Sequence, residues 1–157
     1  MRSKFGYRMG AICSFSATLA LAWLWLSETS AGAEARAEAP TIQVVEAWIR
    51  WLPAGLPAGG YVTLTNTGAK PVNLIAASSP DYGEVSIHHS IHRGGTIEMV
   101  PVERITINPH SSLNFAATGY HFMLMQPSKS RVPGDHVPIT LRFADGASLT
   151  VQFEVRK

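Results

Sequence analysis

From Thr41 to the end of the chain, no stretch sustains the spacing of three to four residues that would put apolar side chains on one face of a helix. Turn residues interrupt the chain instead. They include the long Pro53–Gly60 segment, Asn66-Thr67-Gly68, Arg93-Gly94-Gly95-Thr96 and Ala144-Asp145-Gly146-Ala147. Between them lie short runs rich in Val, Ile, Thr and aromatic residues: 42–49, 61–66, 72–78, 84–92, 96–102, 105–108, 112–116, 120–126, 137–143 and 148–155. Many short strands at regular spacing fold as one all-β domain, a β-sandwich or barrel, with a Greek-key sandwich as the default. Gly94-Gly95 and Asp145-Gly146 favour tight hairpin turns, because both glycine and Asp-Gly accept the positive φ that such turns need.

The first residues read differently. Arg2, Lys4 and Arg8 precede an apolar run from about Ala11 to Leu26, and small residues follow at Ser30-Ala31-Gly32-Ala33. This is the order of a secretory signal, residues 1–33, cleaved after Ala33 with Ala35 or Ala39 as alternatives. An uncleaved membrane anchor is the rival reading, but the run falls short of the about 20 apolar residues a span needs. Residues 34–40 form a polar, flexible lead-in, and 41–157 the folded domain. Cys13 is the only cysteine, and Gly10-Ala11-Ile12 before it fits a lipoprotein box poorly. The exported chain therefore has no disulfide and must rely on its core. Loss of the signal removes three bases and one acid from the 13 and 11 of the whole chain, leaving ten of each. A neutral domain gives no case for nucleic acid or for an anionic membrane surface, and no span remains after cleavage.

The chemistry lies in histidine and methionine. Met99, Met123 and Met125 are the three methionines that remain after the signal, and all fall within one short part of the chain, whereas core-filling methionines would scatter. In "YHFMLM", Tyr120 to Met125, the period of two puts His121, Met123 and Met125 on one face and Tyr120, Phe122 and Leu124 on the other. A two-residue loop at Gly94-Gly95 would pair Arg93 with Thr96, His92 with Ile97, Ser90 with Met99 and His88 with Pro101. Met99 then shares a face with His88, Ser90 and His92, while His89 points away. A three-residue loop would reverse that parity. Taken singly, His121 would be an ordinary strand histidine and the methionines core residues. Together they make a row of soft, neutral donors, which suits Cu(I), with imidazole able to bind copper in either oxidation state. Zinc would draw cysteine, histidine or carboxylate, and calcium or magnesium would draw oxygen. His110 and His136 sit beside Pro109 and Gly134-Asp135 and read as solvated loop residues.

The spacing of these residues resembles that of the periplasmic copper chaperones of the PCu(A)C family. His88 and Met99 have ten residues between them, Met99 and His121 have twenty-one, and His121-Phe122-Met123 completes a His-x-Met pair. "AWIRWLPAG", "GGYVTLTNTG", "AASSP" and "GYHFMLM" are similar to further landmarks of that family, so the resemblance covers roughly Val44 to Val155. Ser90 stands where many members carry methionine, and others have threonine. The resemblance implies a monomeric cupredoxin-like sandwich that is not an enzyme. It implies copper, Cu(I) preferred and Cu(II) possible, held by His88, Met99, His121 and Met123. Met125, His89, His92 and Ser90 are auxiliary candidates, as further ligands or as groups behind them. The implied partner is a copper-accepting protein, a cytochrome c oxidase subunit receiving its binuclear centre or another copper chaperone.

Other classes compete with this reading. Blue-copper electron transfer needs a cysteine thiolate, which the exported chain lacks. A copper buffer or resistance protein without a dedicated acceptor uses the same site. A metal-free adhesion or assembly sandwich explains the fold but not the clustering of Met and His. There is no G-x-S-x-G elbow or HExxH motif for a hydrolase.

Overall fold

A computed structural model describes residues 41–53 and 56–157. The expected signal and lead-in lie outside the described residues. Ten strands follow one another: β1 Ile42–Arg50, β2 Ala58–Asn66, β3 Val72–Ser78, β4 Tyr82–Arg93, β5 Thr96–Pro101, β6 Ile105–Ile107, β7 Ser111–Asn114, β8 Tyr120–Pro127, β9 His136–Phe143 and β10 Ser148–Arg156. The domain is all-β and cupredoxin-like. Its strands hydrogen-bond in the order β5-β4-β8-β2-β1-β10-β9-β3-β6, with β7 on the part of β2 that β8 leaves free. Every contact between neighbours is antiparallel except β1 with β10, which run parallel and join the beginning of the domain to its end.

The strands alternate as half-buried strands should. In β9, Val137, Ile139, Leu141 and Phe143 face inward, and in β10 Val151, Phe153 and Val155 do. Phe122 of β8 lies at the centre of the core. It stacks on Phe115, with ring centroids 4.7 Å apart and planes 15° from parallel, and meets Phe153 edge-on at 6.0 Å. Such offset and edge contacts add to what burial alone supplies.

One expectation needs correction. Ala58, Gly59 and Gly60 belong to strand β2 and not to the preceding loop, because their backbone pairs with Leu124, Met123 and Phe122 of β8. Glycine is tolerated here since β8 packs too closely for side chains: a Cβ on Gly60 would stand 3.2 Å from the Cβ of Phe122.

Candidate metal centre

The β4–β5 hairpin closes through Gly94 and Gly95, whose φ angles of 57° and 83° give the double-positive turn that matches the twist of paired strands. The register is the one a two-residue loop requires: Arg93 with Thr96, His92 with Ile97, Ser90 with Met99, His88 with Pro101. On its other side β4 pairs with β8, placing His88 directly opposite His121 and Ser86 opposite Met123. Two independent registers thus bring His88, Met99, His121 and Met123 to one face of three adjacent strands.

The two imidazole rings are 6.0 Å apart, centre to centre. His121 is 5% exposed, and its Nδ1 lies 3.2 Å from the carbonyl oxygen of Gly119. A carbonyl only accepts, so Nδ1 carries the proton and donates it, which leaves the Nε2 lone pair free. In His88, Nε2 is 3.1 Å from the Ser86 hydroxyl, and Nδ1 is buried without a hydrogen-bond partner. A buried, unsatisfied ring nitrogen is costly unless something else binds it. Each histidine therefore has one engaged nitrogen and one free, the pattern of imidazoles oriented for a metal by the atoms behind them.

An open cavity of about 260 Å³ is lined by Met99, His121 and Met123, together with Gly59, Tyr61 and Arg50. Met99 is 54% exposed, so the site is within reach of solvent through this residue. Gly59 pairs with Met123, and a Cβ there would stand 2.6 Å from the Tyr61 hydroxyl, so its missing side chain keeps the cavity open. The placement of Gly59 was hidden in the sequence, where the Pro53–Gly60 stretch reads as one loop. Among the described residues no three His, Cys, Asp or Glu side chains gather closely enough to hold a metal. An ion bound here must take thioether donors, which fits copper and not the harder cations.

The auxiliary candidates divide. Ser90 is buried opposite Met99, and its hydroxyl donates to the carbonyl of Ala117 at 3.0 Å. Its backbone N–H donates to Gly119. Ser90 thus ties down the turn whose Gly119 carbonyl orients His121. Met125 shares the face of Met123, but pairs with Glu84 and does not line the cavity. His92 is exposed near the hairpin turn. His89 lies on the opposite face, stacked on Tyr120 at 4.4 Å, and does not join the other donors.

Burial, and secondarily the neighbouring His121, hold the His88 pKa below its ordinary value of 6.5, while Glu84 opposes them weakly. A histidine with a depressed pKa stays neutral further into acid, and only the neutral ring can accept a metal. The sign for stability follows: the unfolded chain binds the proton more readily, so this contribution is present above the unfolded value and is lost as pH falls through the interval down to the folded one. In an NMR titration of the metal-free domain, the His88 ring resonances are expected to shift with a midpoint below the ordinary histidine value of 6.5. A His88 midpoint at or above that value would contradict the burial argument.

The LpqE-like lipoprotein family matches residues 42–155. The chain is 28% identical over 120 residues to Lxx21020 of Leifsonia xyli subsp. xyli, a protein named as a lipoprotein, covering 76% of this chain and 72% of that one. It is similar to the copper-bound PCuAC domain from PmoF2, with 25% identity, a TM-score of 0.60, and 74% and 92% of the two chains covered. It is also similar to the Cu(I) form of DR1885 from Deinococcus radiodurans, with 30% identity, a TM-score of 0.57, and 71% and 76% covered.

Proposed function

We propose that this chain, which belongs to the LpqE-like, PCu(A)C-type family, is an exported carrier that binds one Cu(I) through His88, Met99, His121 and Met123 and passes it on by ligand exchange. The observation that carries this reading is the facing pair of histidines, each with a free nitrogen, beside two thioethers on an open cavity. A metal-free sandwich has no use for an orphaned His88 Nδ1. The names of the relatives add support: one similar domain is described as copper-bound, another as holding Cu(I).

The donor set also suits release. All four ligands are neutral, and thioethers bind weakly, so no strong bond has to break in one step. Met99, the most exposed donor, is the natural first to leave. An acceptor with stronger donors can take its place and then displace the rest stepwise. Cu(II) finds only two nitrogens here and is the weaker guest. The acceptor class is a protein that builds a copper centre outside the cytoplasm, the binuclear centre of cytochrome c oxidase being the case the family resemblance implies. Carriage of this kind breaks no bond in a substrate. Export is supported by the signal-like residues 1–33 and by the lipoprotein names among the relatives.

The test is a Cu(I) titration of the exported domain, residue 34 onward, against a competing chromophoric chelator under reducing conditions. One equivalent is expected to be withheld from the chelator. Failure to withhold any would leave the fold without its copper, and the metal-free module would then be the better reading.

A further inference from the structure

Resting on the copper-carrier reading, we propose that the face around Met99 docks an acidic surface of the copper-accepting protein, and that Arg50 is its anchor. Arg50, the last residue of β1, is the only charged residue among the described residues lining the cavity that holds Met99, His121 and Met123. A second cavity of about 440 Å³ also includes Arg50 and shares Tyr61 and Ala117 with the first, so the two concavities meet at this guanidinium. The Arg50 side chain has no hydrogen bond or ion pair among the described residues. The acidic residue that shares the second cavity with it, Glu46, is bound to Arg156 at 2.6 Å. Arg131 and Arg93 instead lie beside acids, Asp81 at 2.6 Å and Glu98 at 3.6 Å.

The surroundings are those of a protein contact. Leu52 lines the copper cavity and is exposed; Ile97 and Met99, on the same face of edge strand β5, are 58% and 54% exposed. Arginine, methionine and aromatic residues are the types enriched at interface centres, and apolar surround with one unpaired guanidinium is a common pattern for an anchor. A guanidinium in that position matches a carboxylate in two-point geometry. Charge completes the case. Four neutral ligands leave the bound Cu(I) its full positive charge, which adds to that of Arg50. The loaded carrier therefore attracts an acidic partner more strongly than the emptied one, which favours departure after transfer.

The experiment uses the full chain loaded with one Cu(I) and two synthetic dithiol peptides as acceptors. One peptide has glutamates flanking its cysteines and the other has glutamines in those places. Transfer is followed by stopped flow. At low salt the glutamate peptide is expected to be served about fivefold faster, an advantage that fades as salt shortens the screening length toward about 3 Å at 1 M. Arg50→Gln should remove the advantage and leave the glutamine peptide's rate unchanged; Arg50→Lys should keep most of it. An unchanged ratio in Arg50→Gln, or an equal slowing with both peptides, overturns the proposal while leaving the copper reading intact. A wild-type chain that takes up no Cu(I) overturns both.

Discussion

His121→Ala is expected to weaken Cu(I) binding at least tenfold, about 1.4 kcal/mol, while the domain remains folded. Two observations place this residue first. His121 is the only one of the four candidate ligands that both lines the cavity and has its ring fixed by a backbone carbonyl, that of Gly119. It also faces His88 directly across the β4–β8 pair. Its loss removes one nitrogen of two, and the remaining thioethers cannot substitute for it. Met123→Ala should weaken binding by a similar order, since Met123 lies one residue beyond the core residue Phe122 on the same strand and lines the same cavity. Two variants serve as controls. Met125→Ala and His89→Ala should keep affinity within about twofold, because Met125 pairs with Glu84 away from the cavity and His89 stacks on Tyr120 on the other face. Competition titration with the chelator measures all four, and far-ultraviolet circular dichroism shows that each stays folded. Equal affinity in wild type and His121→Ala would remove the imidazole from the site.

The hairpin was legible because Gly94-Gly95 fixes a register, and a register fixes which side chains share a face. The same period of two separated His121 and Met123 from Phe122 and Leu124, and the first pair does lie opposite His88 and Ser86, the second opposite Ile87 and Val85. What depends on distant partners was not legible. No local pattern shows that β8 lies beside β4, or that β1 pairs in parallel with β10 more than a hundred residues later. Gly59 and Gly60 read as loop because glycine is scarce in strands; Gly60 is there because β8 comes close, a tertiary fact, and Gly59 because the Tyr61 side chain lies over it. Arg50 gave no signal either, since an exposed arginine at a strand end is ordinary until two cavities are found to meet on it. The free nitrogens of His88 and His121 needed the positions of Ser86 and the Gly119 carbonyl.

Phe122→Ala is expected to destabilise the metal-free domain by about 3–5 kcal/mol, a large share of the 5–15 kcal/mol typical of a whole domain. Phe122 is fully buried, and its ring holds Phe115 and Phe153 in place. Alanine would leave a ring-sized void in a core with little freedom to collapse, because β2 contacts β8 through Gly60 alongside it. The consequence reaches the metal, since Phe122 separates His121 from Met123 on one strand. Its burial fixes the strand's rotation, and that rotation sets both ligands on the opposite face, against β4's His88 and Ser86. Urea unfolding should therefore show a lower midpoint in the metal-free variant, and a smaller rise on adding Cu(I) than in wild type. A ligand held a thousandfold above its Kd and bound only by the folded state stabilises by about 4 kcal/mol. A rise equal to that of wild type would show that the site does not depend on the Phe122 ring. A reduced rise would show that core and copper act on the same strand from its two faces, with Phe122 setting the geometry that His121 and Met123 present to the ion.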